Sequence, residues 1–139
     1  MPLLAATLGV LGGVGGAFVG GSVANEGQDR RFERERAAEI QDLRLDEYST
    51  FIGAAQEVVG KYTSGSGDAE VRAALVRLSI AQARVAFIRE NAEVEEAADA
   101  LVRTLGDGEG STEQQLANYR QAADNFLGAA RDEIGTTNP

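Results

Sequence analysis

The 139-residue sequence has no histidine, no cysteine, no tryptophan and a single lysine, Lys61. Without histidine, the commonest general base and the commonest metal ligand are both missing. Without cysteine there can be no disulfide framework, no zinc-thiolate site and no thiol nucleophile. Charge is also absent from one region: all 13 Lys and Arg and all 22 Asp and Glu lie at or beyond Glu26. The resulting net charge of -9 argues against binding a phosphate backbone, which needs an excess of basic residues on one surface, so nucleic acid is not an expected partner. Beyond the uncharged segment about 115 residues remain, enough for one small core and no second catalytic domain. Arginine in place of lysine, with abundant Ala, Gly and Val, points to a GC-rich bacterial genome.

What is present begins with Leu3 to Ala24, 22 residues whose only polar side chains are Thr7 and Ser22. About 20 apolar residues at about 1.5 Å per residue match a hydrocarbon core of about 30 Å, so residues 1–24 are expected to form a transmembrane helix. Its seven glycines would weaken a helix in water, whereas in lipid every backbone group must pair internally and glycine is tolerated. The glycines are spaced in fours. Gly12, Gly16 and Gly20 form one small-residue ridge, and Gly9, Gly13, Ala17 and Gly21 a second on the adjacent face. Ridges of this kind let helices approach closely in a membrane, which predicts association with further copies or with a partner.

Two other readings compete for this segment. Ser22-Val23-Ala24 has the small residues that a signal peptidase reads, and cleavage at Ala24 would release a secreted helical binding protein. Against it stand the lack of a positive n-region and an apolar stretch longer than an ordinary h-region. Gly9-x-x-x-Gly13-x-Gly15 imitates a dinucleotide-binding loop. That loop works between a strand and a helix in a βαβ unit, and no such pattern follows it. Arg30, Arg31, Arg34 and Arg36 lie just past the segment and set the orientation, with the C-terminal body in the cytoplasm and the helix crossing the bacterial inner membrane once.

From residue 25 onward the periodicity is helical and no stretch alternates with period two, so the fold class is all-α: a membrane helix continuing into a stalk, then an antiparallel hairpin or a bundle of three or four helices. Residues 25–62 form the charged stalk and first bundle helix, with Leu43, Phe51 and Ile52 on an apolar stripe that also holds Ile40 and Tyr48. Residues 63–67 are a Gly/Ser loop. Asp68 offers an N-cap to a second helix over 68–105 that carries Leu75, Leu78, Val85 and Leu101, with a kink or short break expected near 89–92, where Asn91 can cap. Ile80 and Phe87 start a second stripe on that helix, which implies a second neighbour. Residues 106–111 form a Gly/acidic loop. Ser111 with Gln114, or Thr112 with Gln115, has capping-box spacing for a last helix over 112–134 with Tyr119 and Phe126 inward, followed by a tail at 135–139.

No constellation in this body reads as a catalytic, cofactor or metal site. Glu93, Glu95, Glu96 and Asp99 read as a solvated acidic face. Asp107 and Glu109 do not have the spacing of a calcium loop, and di-iron bundles need Glu-x-x-His pairs. Ser64, Ser66 and Ser111 are explained by turns and caps, and no histidine completes a triad. Arg77 and Arg84, seven apart, form either a basic strip or an ordinary mixed-charge face. The chain is therefore expected to be non-enzymatic, with no cofactor and no small-molecule substrate.

The uncharged N-terminal helix, the Arg/Glu-rich stalk running into Tyr48-Ser-Thr-Phe51, the Leu75-Val-Arg77-Leu78 cadence and the closing Phe126-Leu-Gly-Ala-Ala-Arg131-Asp-Glu133-Ile134 together resemble small single-pass membrane proteins of actinobacteria and their phages. The resemblance implies membrane topology and a coiled-coil-like helical body, and carries no activity onto any residue. The expected role is an oligomeric scaffold or interaction module. The alternative is a phage-type assembly protein in which the glycine-rich segments build a pore, a lysis device or a virion channel.

Overall fold

The computed structural model describes residues 26–107 and 111–136. The described residues are 92% helical and contain no strand, so the fold is all-α. Four helices follow one another: α1 (Glu26–Thr63), α2 (Asp68–Ile88), α3 (Ala92–Gly106) and α4 (Thr112–Thr136). The segment expected to cross the membrane, with both glycine ridges (Gly9, Gly13, Ala17 and Gly21; Gly12, Gly16 and Gly20), lies outside the described residues. Among the described residues no helix is long and apolar enough to cross a membrane.

The chain divides into two compact units, Met1–Ala37 and Ala38–Pro139. Of the first, residues 26–37 are described. They are helical and exposed from Gly27 to Ala37, and Arg36 places its guanidinium 5.8 Å from the centre of the Phe32 ring. The stem of a long cationic side chain lies easily over an aromatic face, which suits a helix surface in contact with water.

The second unit is a four-helix bundle in which each helix runs opposite to the one before it. Glu57 with Arg77, Glu47 with Arg84 and Lys61 with Glu70 pair α1 against an antiparallel α2. Gln82 on α2 donates to Asp99 on α3, and Tyr62 on α1 donates its hydroxyl to the Leu105 carbonyl of α3 at 3.2 Å. Phe126 on α4 closes the bundle against α1, stacking tilted on Phe51 at 4.8 Å and edge-on to Tyr48 at 5.7 Å. Such aromatic pairs add about 0.5–1.5 kcal/mol each beyond the area they bury. Phe51, Leu78, Val85, Leu101 and Phe126 are fully buried, and Ile52, Leu75 and Tyr119 pack against the core from its edge.

The connections follow from their residues. Gly65 adopts φ of 68°, a left-handed conformation that favours glycine, and lets Ser66 N donate back to the Lys61 carbonyl at 3.1 Å to close α1. The cap of α2 is Gly67, whose carbonyl accepts from Glu70 N and Val71 N. Asp68, expected at the cap, is instead the first helical residue, where its charge still favours the helix N-terminus. Three residues, Arg89 to Asn91, separate α2 from α3, and Asn91 Oδ1 caps α3 by accepting from Glu93 N at 3.1 Å. Ser111 Oγ accepts from Gln114 N at 3.3 Å at the start of α4.

Leu43 is a correction. It is 41% exposed, not in the core. The inward line on α1 runs through Arg44, Tyr48, Phe51, Ala55 and Val58, alternating steps of four and three, and Leu43 stands one residue, about 100°, off that line. A charged residue takes the inward position because its guanidinium finds partners at the α2–α3 junction. Arg44 Nε donates to the Ile88 carbonyl at 3.0 Å and its Nη1 pairs with Glu90 at 3.0 Å.

Candidate functional site

At the end of the bundle where α2 turns into α3, polar groups meet inside the protein. Glu133, on the last turns of α4, is only 3% exposed. Its Oε2 accepts the Tyr48 hydroxyl of α1, and its Oε1 accepts Glu90 N at 2.6 Å and Asn91 N at 2.5 Å. The break between α2 and α3 frees backbone N–H groups that no helix can pair. A carboxylate reaching across from α4 satisfies two of them. Burial is the largest influence on the Tyr48 hydroxyl, followed by its hydrogen bond to Glu133 and the charge of that residue. Together they hold its pKa far above the ordinary 10.0, against the opposing pull of Arg44 and Arg89. This cluster ties α1, α4 and the α2–α3 junction together. The Tyr48 hydroxyl and the two backbone N–H groups all find their acceptor in Glu133, so the cluster works as a clasp.

The outer face of α2 is the other distinctive feature. Phe87 is 85% exposed, and Val76 and Ile80 are 55% exposed. Ile80 and Phe87, which predicted a second neighbouring helix, face no element of the described bundle. Ala69, Ala73 and Ala83 are exposed too. A shallow groove runs along this face, lined by Leu75, Val76, Ile80 and Ala83 with Arg72 and Ser79 at its edges. A row of large apolar side chains in contact with water marks an interaction surface more often than solitary exposed residues do.

The charged residues singled out in the sequence are dispersed by the fold. Arg77 and Arg84 form no open basic strip, since each reaches a carboxylate of α1, Glu57 and Glu47 respectively. The acidic residues of α3 are divided likewise: Glu95 pairs with Arg89, and Asp99 accepts from Gln82 while its carbonyl accepts from Arg103 Nε at 3.3 Å. Among the described residues no group of three or more acidic side chains could hold a metal ion. Arg30, Arg31, Arg34 and Arg36 lie on the exposed first turns of α1.

No known protein family, curated protein or solved structure matches this chain. Sequence reasoning missed Ala69, Ala73, Val76 and Ala83 as members of the outer face. Their signal is a spacing of four and three carried on through Ile80 and Phe87. It is hidden because α2 is apolar on its inner face as well, so the helix as a whole shows little amphipathic direction.

Proposed function

We propose that the chain is a non-enzymatic, membrane-tethered assembly module: a glycine-ridged N-terminal helix crosses the inner membrane once, and the cytoplasmic helical body joins copies or partners into a scaffold. The observation that carries the assembly part is the apolar outer face of α2, where Val76, Ile80 and Phe87 stand exposed on a well-packed bundle. A monomer gains nothing in water from such a row, whereas burying it against another surface recovers about 25 cal/mol per Å² of apolar area. The tether rests on Leu3 to Ala24, whose 22 residues contain no charge and whose small residues recur every fourth position.

Fractionation tests the tether. Membranes washed with carbonate should retain the full chain, and a fusion at the C-terminus should report a cytoplasmic location. Recovery in the soluble fraction sinks the membrane assignment. A mature N-terminus at Asn25 would replace it with secretion after cleavage at Ala24.

A further inference from the structure

We propose that the outer face of α2 is a homodimer seam, and that two copies of the chain pair through it with their α2 helices antiparallel. The inference rests on the reading of the body as an assembly module and gives that module its surface, its partner and its register.

Ala69, Ala73, Val76, Ile80, Ala83 and Phe87 follow one another at spacings of 4, 3, 4, 3 and 4, and all six are exposed. That is the a/d spacing of a coiled-coil stripe. Under three heptads long, an isolated helix of this kind would be marginal in water. In this protein α2 is already held by the bundle through Ala74, Leu78, Ala81 and Val85 on its opposite face, so dimerisation need not form the helix.

The stripe is complementary to itself in one direction. Antiparallel pairing brings a positions of one helix against d positions of the other, and one register satisfies every layer: Ala69 against Phe87 of the second copy, Ala73 against Ala83, and Val76 against Ile80. The largest side chain meets the smallest, and the two β-branched residues meet at the centre, where the two-fold axis passes. A symmetric interface must match a surface to itself in this way.

Charge chooses the same direction. The residues flanking the stripe on one side are Glu70, Arg77 and Arg84, and the antiparallel register sets Glu70 of each copy opposite Arg84 of the other, twice by symmetry. Both side chains are free enough to share: they are 59% and 54% exposed, and their contacts within the chain, to Lys61 and Glu47, are long at 3.6 and 3.8 Å. Arg77 meets its own copy near the axis, but each is neutralised by Glu57 of its own chain. On the other flank Ser79 meets Ser79, and Arg72 meets the small Ala86. A parallel pairing would instead place Arg72 against Arg77 twice and stack Phe87 on Phe87.

The chain has no cysteine, so any introduced thiol is the only one in its protomer. Ala73→Cys and Ala83→Cys, each a small change at an exposed helical position, are co-expressed as full chains with different tags and treated with a thiol oxidant in the membrane and soluble fractions alike. Antiparallel pairing predicts a mixed disulfide between the two variants and almost none within either alone, because positions 73 of the two copies stand about 15 Å apart along the axis. Adding Ile80→Arg to both should cut the mixed product by about tenfold or more, since two arginines then face an apolar layer. Thr50→Cys on α1 in place of Ala83→Cys should give no product with Ala73→Cys. Equal crosslinking of each variant with itself overturns the register in favour of a parallel pair. Absence of the mixed product overturns the seam altogether, as it would if a different protein or a lipid surface covered this face. The crosslink is read in whichever fraction holds the chain, so a soluble chain would sink the tether without deciding the seam, and an uncrosslinked chain in the pellet would sink the seam alone.

Discussion

Tyr48 on α1 donates its hydroxyl to Glu133 on α4, 85 residues away, and the same carboxylate holds the backbone of the α2–α3 junction. Three segments distant in sequence are thus fixed by one buried side chain. Removing one partner of a buried hydrogen-bonded network leaves the others desolvated and unpaired, which costs more than the bond itself contributes. Glu133→Ala exposes that cost fully, because the Tyr48 hydroxyl and two N–H groups lose their acceptor together. We expect about 3–5 kcal/mol of destabilisation. Glu133→Gln keeps an acceptor without its charge and should cost about 1–2 kcal/mol. Urea denaturation of the three proteins checks the order, and equal stabilities for wild type and Glu133→Ala would show that the clasp contributes nothing.

The raised pKa of Tyr48 makes stability depend on alkaline pH. In the unfolded chain the phenol ionises near its ordinary 10.0, whereas in the folded protein burial first, and then Glu133, keep it protonated well beyond that. Above about pH 10 the unfolded state therefore has fewer bound protons, and unfolding becomes easier by about 1.4 kcal/mol per pH unit for each such group. The contribution is complete below the unfolded value and is lost as pH rises towards the folded one. Tyr119, raised by burial, acts with the same sign. Denaturation midpoints should stay level up to about pH 9.5 and fall beyond it, and Tyr48→Phe should make the fall shallower. An unchanged slope in that variant would remove Tyr48 as a cause.

The helical class is legible because apolar residues recur at three and four: Phe51, Leu78, Val85, Leu101 and Phe126 all stand on such stripes, and all lie in the core. The polar clasp is not legible. Arg44 and Glu133 carry charges, and a charge reads as solvent-facing until its partners are known. Those partners are 44 and 85 residues away, too far for any local pattern to link them. Leu43 is misread for the same reason, since its inward neighbour Arg44 cannot be recognised as such. The outer seam of α2 is half legible. Ile80 and Phe87 signal a second face, but three of its six positions are alanines, which are equally at home on a solvated helix surface.

Two phenylalanines should separate folding from assembly. Phe126 is fully buried against Tyr48 and Phe51, so Phe126→Ala removes a ring from the centre of the bundle and should cost about 3–5 kcal/mol. Phe87 is the most exposed large apolar side chain among the described residues, and Phe87→Ala should change the stability of a dilute monomer by less than about 0.5 kcal/mol. Its effect should appear at high protein concentration, where the melting temperature of the parent rises with association and that of the variant does not. Concentration-independent melting of both would argue that α2 faces only water.

Asn91 serves the α2–α3 junction twice, with its side chain capping α3 through Glu93 N and its own N–H donating to Glu133. Asn91→Ala removes only the first of these, at about 1 kcal/mol for the lost cap, while Asn91→Asp keeps an acceptor there and should be nearly neutral. The two functions are not independent, because the cap fixes the backbone angle that aims the N–H at the carboxylate. In a double-mutant cycle with Glu133→Gln the two losses should therefore overlap, the combined cost falling short of the sum by about 0.5 kcal/mol or more. Strict additivity would mean that the junction keeps its shape without the clasp, and that Glu133 satisfies a loop it does not build.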